Sequence, residues 1–428
     1  MSTRGRYQGG SGVALPPGSS LPAPAQTLSF WAHPTAHLDR ARARYGERFT
    51  IRATGHLPLV FLSDPEEVAA ALRAPEDALS PGRGGSAVMP IVGERSFMLQ
   101  EGELHNIGRR ATLAAFRART VREHGESTLA EVEREVAAWP LDAPLALHPR
   151  LRTLTLGVAL RKIFGDGVPE ERLLLLRERI LAMLTITTSA MLTVEMLRRG
   201  PGARKWTRFL REREQVDELL HALIDERLRA SEEAGMGVEH EDALGRFLTA
   251  RKPDGSRLSR EELHDNVMSI VLAGHETTAA ELAWAFQLLA HNPSAQARLA
   301  VEIDRDGGDE YLTATAQEAL RHRCAFLFAI PREVLRPGVR IGEWTYDPPA
   351  QLLGCIYLVH HDPALYPEPE RFLPERFLES PPRPEHWIPW GGGRKRCPGL
   401  HMALFETKAV IREVLARTLV EPAARHME

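Results

Sequence analysis

Cysteine is scarce: Cys324, Cys355 and Cys397 are the three in 428 residues. So few thiols exclude a disulfide framework as the source of stability, and reduced thiols fit a cytosolic protein. No apolar run reaches the roughly 20 residues that a membrane-spanning helix needs, and no secretory leader opens the chain. Neither sign of charge dominates, with 54 basic against 57 acidic residues and a net charge of −3, so nothing marks a nucleic-acid binder. β-Branched runs are short, and no internal repeat occurs. A soluble, cytoplasmic, monomeric protein is expected.

What is present is apolar material, 43% of the chain, enough for a large core. The pattern predicts a single compact domain over 28–428, mainly α with a small β-sheet region. A Gly/Ser/Pro-rich tail over 1–27 precedes it and reads as poorly ordered. Segments 49–51 and 59–62 flank Gly55-His56 as a β-hairpin. Ser63-Asp64-Pro65 then opens a helix with Glu66 and Glu67 in its first turn. Residues 80–96 read as a long loop, and long loops are often functional.

From 103 to 230 the pattern is helical almost throughout, and an acidic loop over 232–242 follows. Ser259-Arg260-Glu261-Glu262 is a capping box. Apolar periodicity then runs to Leu289, where Asn292-Pro293 stops it, a rod of roughly 45 Å. Further helices are expected over 294–303 and 310–323, with strands over 339–341 and 351–358. A final helix is expected to start at Cys397 and to run to about Leu415.

Cys324 and Cys355 read as small core residues. Cys397 sits differently, in Trp390-Gly391-Gly392-Gly393-Arg394-Lys395-Arg396-Cys397-Pro398-Gly399. Three glycines precede it, three cations adjoin it, and Pro398 suits the first position of a helix. Free N–H groups, a helix dipole and cations all lower a thiol pKa, and a thiolate is what a soft metal needs. The glycines remove bulk, so a flat macrocycle has room against the backbone.

The long helix carries Ala273-Gly274-His275-Glu276-Thr277-Thr278. A mid-helix glycine costs about 1 kcal/mol against alanine. Ala273, Glu276, Thr277 and Ala280 fall on one face by their spacing. That face suits a flat cofactor with bound dioxygen and a proton relay, or equally a core helix with a tolerated glycine. A zinc-protease helix is rejected, because no histidine follows four residues after His275.

Together these stretches resemble the cytochromes P-450 of the soluble bacterial type, from about residue 15 to 418. The cysteine loop matches at Trp390, Gly393, Lys395, Cys397 and Gly399. Trp390 stands where the family usually has Phe, and Lys395 where it usually has Arg, which loses the planar fork suited to a haem propionate. The resemblance implies the P-450 fold and haem b (iron protoporphyrin IX) with Cys397 on the iron. It implies Ala273 and Gly274 beside the haem. Thr277 is then the alcohol that steadies reduced oxygen, and Glu276 the acid that assists proton delivery.

His105 and Arg109, one turn apart, read by themselves equally as a polar helix face. By resemblance they bind propionates, as does Arg332, although Cys324-Ala325 replaces the usual prolines ahead of it. Glu318 and Arg321 would form a buried triad with Arg376 that locks the cysteine loop. His361-Asp362-Pro363 matches a structural turn rather than a metal site.

Val88, Phe97, Ile270, Ala273, Phe328 and Ala329 are the expected pocket residues, for a medium-sized hydrophobic substrate of secondary metabolism. Electrons are expected from NAD(P)H through a ferredoxin and ferredoxin reductase, with Arg394, Lys395 and Arg396 as a basic patch for an acidic partner. The chain ends soon after its last helix, at Val420–Glu428. The β-hairpin with which members usually close the pocket is therefore not expected, and the pocket should be more open or filled by another segment or a partner. The alternative is a non-catalytic, haem-binding or partner-recruiting member of the same fold.

Overall fold

The computed structural model describes residues 7–8, 14–123, 125–141, 143–165, 167–186, 198, 200, 202–233, 242–305 and 308–423. The centre is the helix Arg260–His291, started by the Ser259–Glu262 capping box and ended at Asn292. At 1.5 Å per residue it spans about 48 Å. Leu263, Val267, Met268, Val271, Leu282, Phe286 and Leu289 are all buried along it. Apolar residues on every side of a helix mean that it is covered on every side. Helix Leu147–Phe164 packs along it most extensively, and helices Ala203–Glu233, Glu310–His322 and Leu400–Leu415 also lie against it.

The strands are β1 (Tyr7–Gln8), β2 (Ala14–Leu15), β3 (Arg48–Ile51), β4 (Leu59–Leu62), β5 (Leu79–Ser80), β6 (Arg332–Val334), β7 (Val339–Ile341), β8 (Trp344–Tyr346) and β9 (Gln351–Gly354). The main sheet has the order β3-β4-β9-β6-β5, and β1 pairs with β2 and β7 with β8. The hairpin β3–β4 is antiparallel with Phe49 opposite Phe61, while β4 and β9 run parallel. Phe49 and Phe61 stack at 5.5 Å, and Phe49, Val60, Phe61 and Leu62 are fully buried. Burying each such side chain contributes about 1.5–3 kcal/mol. The sheet thereby anchors both β6, which carries Arg332, and the Leu72–Arg73 end of helix Pro65–Arg73, against which the cysteine loop rests.

Several expectations change. The tail read as disordered through residue 27 contains β2, and Thr50 N–H donates to Pro17 O at 2.9 Å. Helix Ala23–Ala32 starts inside it, with Gln26 buried. Residues 80–96 hold three short helical turns, Pro81–Gly84, Ser86–Val88 and Met89–Val92. The strand expected over 351–358 ends at Gly354, and Ile356–His360 is a helix. The apolar run is the same for both; burial on all sides does not select a period. The final helix begins at Leu400 with Gly399 as its cap, so Cys397 and Pro398 precede it. Of the acidic loop, residues 234–241 lie outside the described residues, as do 424–428 at the C-terminus. Before them Val420 is held by Gln296, its N–H donating to Oε1 at 2.7 Å and its carbonyl accepting from Nε2 at 3.0 Å.

Candidate active site

The cysteine loop is shaped by backbone. Cys397 N–H donates to Trp390 O at 2.9 Å, closing a turn around Gly391 and Gly393, which both have φ of +64°. A methyl group at Gly393 would also collide with the Leu72 carbonyl. Only glycine meets both conditions. Gly393–Lys395 forms a single 3-10 turn that delivers the half-buried Cys397. Burial raises the Cys397 thiol pKa, while the Gly399 N–H and the Arg109 and Arg396 guanidiniums pull it down. The net direction is upward, where the sequence pointed downward, because burial outweighs the Gly399 N–H and the two guanidiniums; the helix expected at Cys397 starts at Leu400. A bound metal ion reverses that balance, since coordination deprotonates a thiol.

Three cations and a histidine gather on this loop. Arg109 Nη1 donates to Arg396 O at 2.5 Å. His105 is buried, with Nδ1 2.8 Å from Phe97 O and Nε2 3.4 Å from Arg394 O. Burial and then the charge of Lys395 lower its pKa. Lys395 turns inward: its Nζ donates to Gln100 O at 2.6 Å and Met98 O at 3.1 Å, and lies 3.0 Å from His105 Nδ1. Burial brings its pKa to about 8. Arg332 is 4% exposed and donates to Ile330 O at 2.8 Å; burial brings its pKa to about 10. Glu76 and Glu101 act on both cations from a distance. The basic patch expected from Arg394, Lys395 and Arg396 is thus reduced to the exposed Arg394 and Arg396.

On the long helix, Thr277 Oγ1 donates to Ala273 O at 2.6 Å, and Ala273 is exposed. Glu276 does not share the Thr277 surroundings. Its Oε2 pairs with Arg152 Nε at 2.7 Å, and His148 lies 3.7 Å from Oε1. His275 is fully buried, with Nδ1 2.7 Å from Val271 O. Gly274 faces Ala159, where an added Cβ would have an ordinary 3.8 Å contact. The glycine therefore borders helix Leu147–Phe164 rather than an open face.

Behind the loop, Glu318 and Arg321 form a fully buried double hydrogen bond at 2.7 and 2.9 Å, with Arg376 Nε 3.3 Å from Glu318 Oε1. Arg321 Nη1 donates to His360 O at 2.9 Å, and His360 Nε2 accepts the Ile388 N–H at 3.0 Å. Burial keeps His360 neutral by lowering its pKa well below the usual range, which leaves Nε2 free to accept. The triad thus reaches the cysteine loop through His360. Burial likewise pushes the Cys324 and Cys355 thiols up to about 12.

The expected pocket residues are dispersed. Phe97 is buried over Gly108, where even a Cβ would collide with its ring, and Ile270 is in the helical core. Phe328 packs edge-on against Phe61 at 5.6 Å. Ala329 joins the sheet core, and Val88 borders the helical one. Ala273 remains exposed, and so does Phe326 at 59%. The sequence placed Phe326 in a segment, 326–330, that resembles a substrate-contacting region of the family, and it offered His360 with His361 only as a metal site set aside; it missed Arg152, Glu76 and Glu101. These three carried no local signal, because their side-chain partners lie on other elements 19 or more residues away in the chain.

The family model described as Cytochrome P-450 matches residues 16–427. Cytochrome P-450 135B1 of Mycobacterium tuberculosis is 31% identical over 417 residues, covering 96% of this chain and 86% of that protein. Cytochrome P-450 138 of the same organism is 32% identical over 409 residues, covering 96% and 90%. The solved structure of retinoic acid bound cyanobacterial CYP120A1 superposes with a TM-score of 0.79 at 24% identity, covering 94% of this chain and 92% of that one.

Proposed function

Since the chain belongs to the cytochrome P-450 family of haem monooxygenases, we propose that it oxidises a C–H or C=C bond of a medium-sized hydrophobic molecule, with Cys397 as the iron ligand. One observation carries the site assignment. Arg109 and Lys395 tie the cysteine loop to its surroundings, Arg332 is near enough for its charge to act on Lys395, and all three make hydrogen bonds to neutral acceptors only, among the described residues. Desolvated cations that no carboxylate contacts directly are costly, the more distant Glu76 and Glu101 offset that cost only in part, and a group with two carboxylates resolves it. Haem b fits. Cys397 would take the iron, and His105, Arg109, Arg332 and Lys395 would receive the propionates. Trp390, Gly393 and Gly399 would shape the thiolate side, and Ala273 the oxygen side with Gly274 behind it. A thiolate-held haem supplies the electron push that favours O–O cleavage, a general property of this class.

The chain's own residues handle protons and packing. The Thr277 hydroxyl, anchored on Ala273 O, keeps lone pairs with which to accept one proton while it hands on its own. Glu276, 41% exposed and held by Arg152, connects that helix to water. Glu318, Arg321 and Arg376 keep the loop in place. Ala273 and Phe326 offer apolar contact without a charged anchor, which suits a polyketide, terpenoid or fatty acyl compound of secondary metabolism. Electrons come from NAD(P)H through a ferredoxin and its reductase, and Arg394 and Arg396 face an acidic partner.

The test is the absorption spectrum of the dithionite-reduced protein under carbon monoxide. A strongly red-shifted Soret band is expected. A haem-free spectrum, or one typical of histidine or thiol ligation, overturns the site assignment and favours a partner-recruiting role. Thr277→Ala should lower the product formed per reductant consumed; unchanged coupling would remove Thr277 from the mechanism.

A further inference from the structure

The Ala273–Thr277 stripe of the long helix does not stop at Thr277. Glu281 follows at a spacing of four, and side chains in an α-helix lean towards its N-terminus. Glu281 therefore leans over the turn that carries Thr277, from a Cβ about 5–6 Å away. It is 4% exposed, and neither carboxyl oxygen has a hydrogen-bond partner among the described residues. An unpaired buried carboxylate is strongly disfavoured, and burial raises the Glu281 pKa well above the carboxylate range. Its titratable neighbour is Cys324, whose thiol is pushed up by burial and then by Glu281. Two residues on from Cys324 is the exposed Phe326. A neutral acid with a transferable proton thus lies one turn beyond the hydroxyl, whereas Glu276 is ion-paired and half-exposed.

Resting on the monooxygenase reading above, we propose that Glu281 is a proton-relay residue that acts through Thr277. In turnover its carboxyl, which makes no hydrogen bond among the described residues, turns onto the Thr277 oxygen and donates its O–H there, as Thr277 leaves Ala273 O and passes its own hydroxyl proton towards the reacting oxygen. One O–H bond breaks at Glu281, one forms and one breaks at Thr277, one forms at the reacting oxygen, and the protein's own groups are neither oxidised nor reduced. The carboxylate left behind regains a proton from solvent before the next turnover, and its burial drives that return.

The test uses the whole chain loaded with haem. The wild type should show an infrared stretch of a buried protonated carboxyl that vanishes in Glu281→Gln, with or without turnover. The variant should keep its haem and its carbon monoxide spectrum, yet lose product per reductant on the order of tenfold, with a matching rise in peroxide and a changed solvent deuterium effect. Should Glu281→Gln not fold, the wild type is compared with Thr277→Val, in which removal of the hydroxyl must shift the Glu281 stretch. Absence of the stretch from the wild type, unchanged coupling in Glu281→Gln, or a stretch that Thr277→Val leaves in place overturns the relay. A wild type without the red-shifted carbon monoxide band overturns the monooxygenase reading instead, so the two failures are distinct.

Discussion

Gly393 is a single residue on which the cysteine loop depends, and it fails in two ways when substituted. Its φ of +64° strains any other residue, and a Cβ collides with the Leu72 carbonyl. Gly393→Ala should cost about 1–3 kcal/mol, read as a lower midpoint in thermal unfolding, together with faster loss of haem. Lys395 separates two roles that Gly393 merges. Its ammonium is buried against carbonyls and His105, so Lys395→Met removes a desolvated charge. The haem-free variant should be as stable as the wild type or more so, while haem titration should show affinity lower by about tenfold, the worth of one charge-assisted bond. The glycine and the lysine were both legible in the sequence as members of a loop. That the lysine turns inward was not, because its acceptors at 98–100 lie almost 300 positions earlier in the chain.

At the scale of elements, two buried networks tie segments together. The Glu318–Arg321–Arg376 triad joins helix Glu310–His322 to the approach of the cysteine loop. Glu318→Gln leaves two guanidiniums without their anion in a dry site, which should cost about 3–5 kcal/mol and be visible as loss of the cooperative melt. The second network holds helix Ala203–Glu233 to the long helix. His264 is buried between Asp217 Oδ1 and Asp265 Oδ1, each at 3.0 Å. His221 stacks on it at 4.6 Å, Arg213 lies 3.4 Å from Asp217, and Arg260 pairs with Asp225 at 2.7 Å. Asp265 also accepts the Arg95 N–H at 2.8 Å, so the 89–97 segment depends on the same knot. Burial opposes protonation of His264, but the two carboxylates outweigh it and raise the pKa above 6.5. A raised folded-state pKa gives stability that is complete below the unfolded value and fades as pH climbs through the folded one. Melting temperature should therefore fall from about pH 6.5 upward, and His264→Gln should flatten that fall. The helices themselves were readable from their caps and stops. The knot was not, because His264 and Asp217 share no motif.

For the whole molecule, the proposed haem site lies where helices, sheet and loops meet, so ligand and fold should be coupled. Binding to the native state alone stabilises it by mass action; extraction of haem should lower the melting temperature, and re-addition should restore it. Among the described residues no helix is long and apolar enough to cross a membrane. The long helix, the hairpin and the strand at 339–341 are local in origin: capping box, alternation and turn residues act within a few positions, so the sequence by itself determined them. It also determined the family, because the glycines, the cysteine and the acid–alcohol pair sit in unbroken stretches. The tertiary structure decided the rest. Burial on all sides turned 356–360 from strand to helix, packed Phe97 over Gly108 and Phe328 against Phe61, drew Lys395 inward and bound Glu276 to Arg152. Each of these outcomes depends on a partner brought near only by folding, and no local rule of period or propensity carries that information.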